Sequence, residues 1–494
     1  MNQPWAVELL ITSKDRIFAW QGVAGAGKSF SLGEACKIAQ ENNFIVKGFA
    51  PSAEAAKNLK SEAKLIETNT VASLLVQNKQ DQKYHGKEIW IVDEAGLLSA
   101  SDAHKLFKKS EEENVRILLV GDTRQLSSVG AGNPFKQLQK NGMKTAHLNQ
   151  GVRQKDPLLK QSVDLIAQGD ALGGLDLLDK NGKVFEKNST EEIISHMANE
   201  YLELNSHQRK NSLFICSTNF EKEEITKLIR NELKSKNELI NSVETIAYKQ
   251  YNFNEFQLKN SNYYNVDDVL ILTQKHDCLN SNQIYRVKYV DKFKNTVTLD
   301  LGNNCEKEFD VKKISANLFR EEKFEISQGD KIKWTKNHFS KENLDENKKS
   351  ERRLNGQYIF VKNIDFDKKI ATVEYENGKN DQISLNKPQF LDHSYVTTVF
   401  SSQGKTCDKV YASLNRVDKE NFYVAVSRAK YDCKIYSLNK ENLFKNVEKT
   451  GAKKTAHEKL KQPYLNCEDE NLKNKQPNII LNEVKKFQKM TMRM

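Results

Sequence analysis

The chain has 494 residues, which is too long for a single hydrophobic core, so we expect two to four domains. Hydrophobic residues make up 38% of the chain and charged residues 29%, a balance typical of a soluble globular protein. The formal net charge of +11 favours a polyanionic partner such as nucleic acid, although a lysine-rich proteome would give the same excess.

Several classes of protein are disfavoured by what the sequence lacks. No apolar run reaches the roughly 18 residues of a membrane span, and the first residues do not have the pattern of a signal peptide. The seven cysteines stand singly without a C-x-x-C pair, and the nine histidines form no H-x-H pair. We therefore expect no membrane contact, no metal-nuclease site, no disulfide framework and a cytoplasmic location.

A glycine-rich loop near the start of the chain predicts nucleotide binding. The segment "GVAGAGKS" (22–29) stands between the strand-like run "RIFAW" and the helical pattern "SFSLGEACKIAQEN". Backbone N–H groups of such a loop surround phosphate oxygens, Lys28 would contact the β- and γ-phosphates, and Ser29 would join a Mg²⁺ shell. The predicted nucleotide-binding residues are Gly22, Gly25, Ala26, Gly27, Lys28 and Ser29. Kinases, transporters, GTPases and motors share this loop, so the reaction stays open.

Two acidic residues supply a second element of a nucleotide site. "EIWIVDEAGLLS" is an apolar strand that ends in Asp93 and Glu94. Asp93 would hold Mg²⁺, and Glu94 would act as the general base for the attacking water. The next strand, in "VGDTRQLSSVGAG", is followed by Gln125, whose amide would contact the γ-phosphate. By itself this segment is better interpreted as an ordinary polar loop, and its place one strand after the acidic pair reverses that preference.

Two arginines are candidates for stabilising charge on the transferred phosphoryl group. Arg153 lies in "LNQGVRQKD", and Arg428 lies in "NFYVAVSRAKYD", just past a run that we interpret as strand-like. Most of the 77 basic residues belong to the solvated surface, so spacing alone does not select these two.

Changes in pattern along the chain predict its domain organisation. Strands alternate with helices over residues 1–150, which predicts a parallel sheet flanked by helices. A second α/β domain is expected over 151–245 and 389–440, interrupted by short strands over 246–388. The last stretch, 441–494, is lysine-rich, and we expect a helix or two with a loose end.

The inserted segment contains an internal repeat. "NVDDVLILTQ" followed by "LNSNQIYRVKYVDKFKNTVTLDL" resembles "SQGDKIKWTKN" followed by "LNGQYIFVKNIDFDKKIATVEYE". Two small all-β barrels over about 260–315 and 322–388 are the natural interpretation. A charged run, 340–353, is expected to be a surface loop. Trp334 and Tyr358 either belong to the barrel core, which we favour, or are aromatic side chains on which nucleic-acid bases stack.

Taken in order, these segments resemble the motifs of superfamily 1 helicases of the 5′-to-3′, RecD-like branch, and within it the helicase portion of TraI/TrwC-type conjugative relaxases. The matching stretches are "QPWAV", "GVAGAGKS", "FAPSAEAAKNL", "TNTVASLL", "IVDEAGLLS", "GDTRQLSSVGAG", "LNQGVRQ", "LDHSYVTTVFSSQGKT", "YVAVSRAK" and "TGAKKTA". The resemblance implies an α/β fold of two RecA-like parallel-sheet P-loop domains, with a small all-β, SH3-like barrel repeat inserted in the second.

The resemblance also implies roles that residue type alone does not give. Gln3 matches the glutamine that reads adenine, Gly404 lies in the segment that links DNA contact to the nucleotide, and Arg153 and Arg428 match the phosphate-sensing arginines. The residues that match single-stranded DNA contacts are Pro51, Ser52, Thr70, Ser73, Thr398, Ser402 and Gln403. The implied substrate and cofactor are ATP and Mg²⁺, and the implied partners are single-stranded DNA, strand junctions and conjugation or recombination proteins.

Some departures from the family pattern leave alternatives open. Phe400 and Ser401 replace a histidine and a lysine, and the short stretch between "VASLL" and "EIWIVDE" leaves room for a short strand-separating pin at most. The relaxase part is absent, so the chain is either a helicase-only product or the remainder of a longer protein. The favoured hypothesis is a 5′-to-3′ ATP-dependent DNA helicase in conjugative transfer or DNA recombination and repair. The alternatives are a DNA-binding remnant of a split relaxase with little unwinding, and a P-loop kinase or transporter ATPase.

Overall fold

The structure is a computed structural model in which contacts divide the chain into two compact units. The described residues are 3–77, 88–128, 130, 132–148, 151–339 and 352–451. Unit 1 comprises Met1–Ile229 and Val396–Met494, and unit 2 comprises Arg230–Tyr395. The predicted pin, most of the charged run 340–353 and the lysine-rich end after residue 451 lie outside the described residues. Within the described part, no helix has both the length and the apolar character needed to cross a membrane.

The first part of unit 1 is a six-stranded parallel sheet with helices between its strands. The strands are β1 Ile17–Gly22, β2 Ile45–Ala50, β3 Glu67–Thr70, β4 Glu88–Val92, β5 Arg116–Gly121 and β6 Thr145–Leu148. The helices are α1 Gln3–Thr12, α2 Lys28–Glu41, α3 Ala53–Glu62, α4 Val71–Val76, α5 Ala100–Glu112 and α6 Pro134–Lys140. The strand order is β3-β2-β4-β5-β1-β6, so the carboxyl ends of all six strands lie at one edge.

Buried apolar runs explain why these segments form the sheet. Strands β4 and β5 are buried along nearly their whole length, which is typical of a parallel sheet covered on both faces. Trp20 and Trp90 are fully buried, and Phe49 packs edge-to-face on Trp90 with ring centroids 5.8 Å apart. The predicted strands "RIFAW", "FIVKGFA", "EIWIVDE" and "VRILLVGD" are therefore confirmed.

The chain continues through a mainly helical segment. Its elements are α7 Pro157–Gln168, α8 Ala171–Lys180, β7 Val184–Glu186, α9 Thr190–Glu203, α10 Ser206–Lys210, β8 Ser212–Cys216 and α11 Asn219–Ser235. Local signals set the helix starts: Asp156 caps α7 by accepting from the Leu159 N–H, and Pro157 occupies the first turn.

Unit 2 consists mainly of two antiparallel sheets. Its elements are β9 Ile240–Gln250, α12 Glu255–Leu258, β10 Val269–Leu272, β11 Ile284–Asp291, β12 Thr296–Asp300, β13 Glu306–Asp310, β14 Ala316–Gln328, β15 Lys331–Trp334, β16 His338–Phe339, β17 Arg352–Arg353, β18 Tyr358–Asp365, β19 Ile370–Tyr375, β20 Asn380–Ser384 and β21 Leu391–His393. The larger sheet has the order β13-β12-β11-β10-β14-β9, and the smaller has the order β20-β19-β18-β15-β21. Strand β9, which begins before the predicted insertion, pairs with β14.

The two sheets of unit 2 repeat the same arrangement. In each, the first strand (β10 or β15) pairs on one side with a three-strand meander and on the other with a later strand, β14 or β21. The pairing shifts register at equivalent points, between Val287 and Tyr289 in β11 and between Val361 and Asn363 in β18. The internal repeat seen in the sequence thus corresponds to two sheets of one topology. Closure of each into an SH3-like barrel stays a prediction.

The aromatic candidates of unit 2 differ in their environments. Trp334 is fully buried, its indole N–H donates to the Tyr375 hydroxyl at 3.3 Å, and the Arg353 guanidinium lies 4.3 Å from the ring centroid. Trp334 is therefore a core residue, as favoured from the sequence. Tyr358 is half-buried beneath the ammonium group of Lys331, 4.6 Å from its ring centroid.

The last part of unit 1 completes a second parallel sheet. Its elements are β22 Thr397–Thr398, β23 Cys407–Ser413, α13 Lys419–Val426, β24 Ala429–Ser437 and α14 Lys440–Val447. The strand order is β22-β8-β23-β24-β7, and every neighbouring pair is parallel. Two parallel sheets flanked by helices agree with the predicted α/β class.

The strand-like interpretation of "NFYVAVSRA" is wrong, because this run forms helix α13. The Asp418 side chain accepts from the Asn421 N–H and fixes the first turn of the helix. All residues from Phe422 to Val426 are buried, so the run has no polar face to reveal a helical period. A continuous apolar run of this length does not distinguish a buried helix from a buried strand.

We expect Trp334→Ala to lower the free energy of unfolding of unit 2 by about 3–5 kcal/mol, because it removes a fully buried aromatic side chain. The matched control is Tyr289→Ala, which removes a side chain that is 61% exposed on β11 and should change stability by about 0.5 kcal/mol or less. Urea unfolding followed by circular dichroism measures both. Equal effects of the two substitutions would contradict the core assignment of Trp334.

Candidate nucleotide site

The glycine-rich loop connects β1 to α2 in the conformation that a phosphate-binding loop requires. Gly25 and Gly27 have φ of 74° and 73°, values that residues with a Cβ rarely adopt. Helix α2 begins at Lys28, directly after Gly27, so the N-terminus of a long helix opens into the loop. The Lys28 ammonium group donates to the carbonyl oxygens of Gly22 at 2.7 Å and Val23 at 3.3 Å. The Lys28 side chain therefore folds back over the start of the glycine-rich loop.

Arg153 packs directly on the loop at Gly25. A Cβ added to Gly25 would lie 2.3 Å from the Cβ of Arg153, which is far inside van der Waals contact. The Val152 N–H also donates to the Gly25 carbonyl at 2.8 Å. These contacts explain the additional glycine inside the G-x-x-x-x-G-K-S pattern. They also place one of the two candidate arginines at the loop.

The acidic pair follows β4 at the same edge of the sheet. Asp93 is anchored by its own N–H, which donates to the Phe49 carbonyl at 2.9 Å, and Glu94 has a left-handed φ of 50°. Burial and the charge of Glu94 raise the pKa of Asp93 above its usual range, and the charge of Lys28 offsets part of this rise. A carboxyl whose ionised form is disfavoured in this way would be stabilised by a cation, and the role of Asp93 as a Mg²⁺ ligand stays a prediction.

Arg428 is buried and Arg153 half-buried, and both candidate arginines are bonded to the same turn of chain. The Arg428 guanidinium donates to the Val424 carbonyl at 2.9 Å and to the Ser427 hydroxyl at 3.1 Å. The Arg153 guanidinium donates to the Ser427 carbonyl at 2.9 Å. Burial lowers the pKa of both groups, that of Arg153 to about 10 with the charge of Arg428 contributing, while the charge of Glu94 acts in the opposite direction. The structure thus brings together two cations predicted from distant parts of the sequence.

Two glutamines at the site have buried carbonyl oxygens without a bonding partner among the described atoms. These are the Oε1 atoms of Gln125 and Gln403. The Gln403 amide Nε2 donates to the Glu94 carboxylate at 3.4 Å, which joins the segment around Gln403 to the candidate general base. Buried polar atoms are normally bonded, so the free oxygens suit side chains that contact a ligand.

The candidate DNA contacts of the first sheet lie at the carboxyl ends of β2 and β3. Ala50 pairs with Thr70, which places Pro51 and Ser52 beside Thr70 and the start of α4. The Ser52 hydroxyl accepts from the Ala55 N–H and caps α3. The Thr70 hydroxyl accepts from the Ser73 N–H and caps α4. Both hydroxyls therefore stabilise helix starts, and their contact with DNA stays a prediction.

The candidate contacts of the second sheet form a tight turn after β22. The Thr398 hydroxyl donates to that of Ser401 at 3.2 Å, and Gly404 has a φ of 79°. Ser402 is fully buried, and its hydroxyl donates to the Val399 carbonyl at 2.6 Å. In this conformation Ser402 has a structural contact and does not reach a surface where DNA would lie. Phe400 is half exposed. The side chains of Gln3 and Ser29 lie outside the described part of the structure.

The sequence interpretation missed polar residues that hold the site together. The Gln154 amide donates to the carbonyls of Ser427 and Ala429, at 3.2 and 3.1 Å, and so holds the backbone on both sides of Arg428. Tyr423 of α13 bonds to the glycine-rich loop and to Asp122. Asp122 and Gln154 stand beside residues that were singled out, in "GDTRQ" and "GVRQ". Tyr423 stands inside an apolar run and gave no signal.

We expect Asp93→Asn to stabilise the protein in the absence of nucleotide and Mg²⁺, increasingly as the pH rises. A carboxyl whose folded pKa is raised contributes stability at low pH, and this contribution is lost as the pH rises through the folded pKa. The melting temperatures of the two proteins, measured in EDTA, should converge near pH 4 and separate by pH 8, with the variant higher. A constant difference across this range would contradict the raised pKa of Asp93.

Two family models match the chain. An "AAA domain" model matches residues 1–189, which include the glycine-rich loop, the acidic pair and Arg153. A "Viral superfamily 1 RNA helicase core domain" model matches residues 309–437, which include Gln403 and Arg428.

Curated relatives and a solved structure are similar to parts of the chain that range from about a third to nearly nine-tenths. A probable conjugal transfer protein TraA of Sinorhizobium fredii is 24% identical over 86% of this chain and 31% of its own length. The multifunctional conjugation protein TraI of Escherichia coli is 22% identical over 35% of this chain and 10% of its own length. A structure of two coordinating Pif1 helicases at forked double-stranded DNA is 15% identical, covers 89% of this chain and 91% of that chain, and has a TM-score of 0.48. The chain thus spans about a third of the first of these relatives, and the resemblance to superfamily 1 helicases and TraI is confirmed.

Proposed function

We propose that this chain, a relative of superfamily 1 helicases and of the conjugation protein TraI, is an ATP-driven motor that moves 5′ to 3′ on single-stranded DNA and unwinds duplexes. The observation that supports the proposal most strongly is the joint placement of the glycine-rich loop, the acidic pair, Arg153 and Arg428 within one compact unit. A P-loop kinase or transporter ATPase would explain the glycine-rich loop and the acidic pair. It would leave Arg428 and the Gln403 segment unexplained.

Each residue of the site has a separate role in the proposed hydrolysis. Lys28 and the loop amides bind the phosphates, and Asp93, with Ser29, would hold Mg²⁺, which neutralises phosphate charge when bound. Glu94 takes the proton of the attacking water. Arg153 and Arg428 stabilise the charge on the γ-phosphoryl group. Because both guanidinium groups are bonded to backbone carbonyls, a polyphosphate would give them a directly bonded anion in addition to the charge of Glu94.

Coupling to DNA runs through the Gln403 turn. Its amide bonds to Glu94, and the turn follows directly on Thr398, a candidate DNA contact of the second sheet. A change at Glu94 during hydrolysis is therefore transmitted to a DNA-facing segment through one hydrogen bond. The contacts with DNA are proposed at Pro51, Ser52, Thr70, Ser73, Thr398 and Gln403. Binding by such contacts would be largely independent of base sequence.

Conjugative DNA transfer is the process that we propose for this motor. The support is the similarity to conjugal transfer proteins TraA and TraI, which the chain matches over part of their length. The second candidate is a single-stranded DNA-binding remnant with little unwinding. It is favoured by Phe400 and Ser401, which depart from the family pattern, and by the burial of Ser402.

We expect Lys28→Ala to lower DNA-stimulated ATP hydrolysis at least ~100-fold, because it removes the charge that contacts the phosphates. Lys37→Ala is the matched control, since Lys37 is exposed on the same helix and its removal should change the rate by about twofold or less. The measurement is phosphate release with and without single-stranded DNA. Absence of any DNA stimulation in the wild-type protein would favour the DNA-binding remnant.

Polarity is tested separately with tailed duplexes. We expect the wild-type protein to unwind a duplex with a 5′ single-stranded tail and to leave one with a 3′ tail intact. A strand-displacement assay with a fluorescent label measures both, with Lys28→Ala as the inactive control. Unwinding from the 3′ tail alone would refute the assignment to the 5′-to-3′ branch.

A further inference from the structure

The Tyr423 hydroxyl joins three segments of unit 1. It accepts a hydrogen bond from the Ala24 N–H of the glycine-rich loop at 2.8 Å and donates to the Asp122 carboxylate at 3.0 Å. Tyr423 is 1% exposed, so neither bond exchanges readily with water. Burial raises the pKa of the phenol, and the nearby Asp122 charge adds to this rise, so the hydroxyl keeps its proton.

The Asp122 carboxylate is itself held in one orientation. Its other oxygen, Oδ1, accepts from the Gln21 amide at 2.9 Å and from the Arg124 N–H at 3.1 Å. The side-chain oxygen Oε1 of Gln21 accepts in turn from the Thr123 N–H at 3.1 Å. These bonds lock the end of β1 to the loop that carries Gln125. Tyr423 therefore contacts a network that reaches both the phosphate-binding loop and the candidate γ-phosphate contact.

The backbone of Tyr423 leads directly to the two arginines. The Ser427 N–H donates to the Tyr423 carbonyl at 3.0 Å, and the Arg428 guanidinium donates to the carbonyl of the next residue, Val424, at 2.9 Å. The Ser427 carbonyl accepts from Arg153. A shift of α13 at Tyr423 would therefore move the partners of both guanidinium groups.

We propose that Tyr423 is a positioning residue that keeps the glycine-rich loop and the Gln125 loop aligned with Arg153 and Arg428, so that its hydroxyl sets the rate of hydrolysis and has little effect on ATP affinity. The proposal rests on the proposed ATP hydrolysis. ATP affinity comes mainly from the loop amides and Lys28, which Tyr423 does not replace. The alignment of the arginines matters only as charge develops on the transferred group.

The test is Tyr423→Phe, which removes the hydroxyl and keeps the ring. We expect kcat for DNA-stimulated hydrolysis to fall about tenfold while KM for ATP changes by less than about threefold. The matched control is Tyr436→Phe, since Tyr436 is also fully buried and its hydroxyl donates to the Glu200 carboxylate at 2.9 Å, in a contact that shares no residue with the network described above. Its kcat should stay within about twofold of the wild-type value.

Rates are normalised to the stoichiometry of binding of a fluorescent ATP analogue. A merely structural role would reduce the bound fraction and the melting temperature and leave kcat per site unchanged, which would overturn the proposal. A rise in KM at constant kcat would overturn it as well, as would equal effects of the two tyrosine substitutions. Wild-type protein without ATPase activity would instead refute the proposed function.

A second variant keeps the inference testable if Tyr423→Phe does not fold. Asp122→Asn retains the size of the side chain and removes the negative charge of the group that accepts the hydrogen bond from the Tyr423 hydroxyl. We expect a comparable fall in kcat, and in the double variant a fall no larger than that of the more affected single variant, because both act through one network. Additive effects of the two substitutions would show that Tyr423 does not act through Asp122.

Discussion

Two guanidinium groups bonded at the same turn of chain are the constraint on which the arrangement of unit 1 depends. Arg153 and Arg428 bond to backbone carbonyls and a serine hydroxyl, and burial lowers the pKa of each. Buried cations in such surroundings are costly unless their hydrogen bonds are held well. These hydrogen bonds are fixed by helix α13, by the Gln154 amide and by the turn at Ser427. Two cations this close together, with Glu94 as a nearby negative charge, would be stabilised further by an anion, and the proposed triphosphate would supply one.

The sequence was informative where function depends on local spacing. The loop 22–29, the acidic pair after β4 and the strands that precede them are set by neighbouring residues, so a pattern of a few residues predicts them. The placement of Arg153 on Gly25 could not be predicted in this way, because it depends on chain segments that meet only in the folded protein. Helix α13 was misassigned since every residue of its central run is buried.

In unit 2 an internal repeat predicted an arrangement of distant strands, which local spacing could not do in unit 1. The alignment of two sequence segments was sufficient to predict two copies of one β arrangement, and the equivalent register shifts in β11 and β18 support a common origin. The position of strand β9 could not be predicted, since its partner β14 is about seventy residues away.

The contact between Gly25 and Arg153 limits how this protein could be engineered. With 2.3 Å separating the Arg153 Cβ from the place of a Gly25 Cβ, the loop and the segment around Arg153 form a matched pair. A chimera that received a phosphate-binding loop with a larger residue at this position would displace the arginine. Grafting such a loop therefore requires exchange of residues 152–154 as well, and both pieces would have to come from one donor protein.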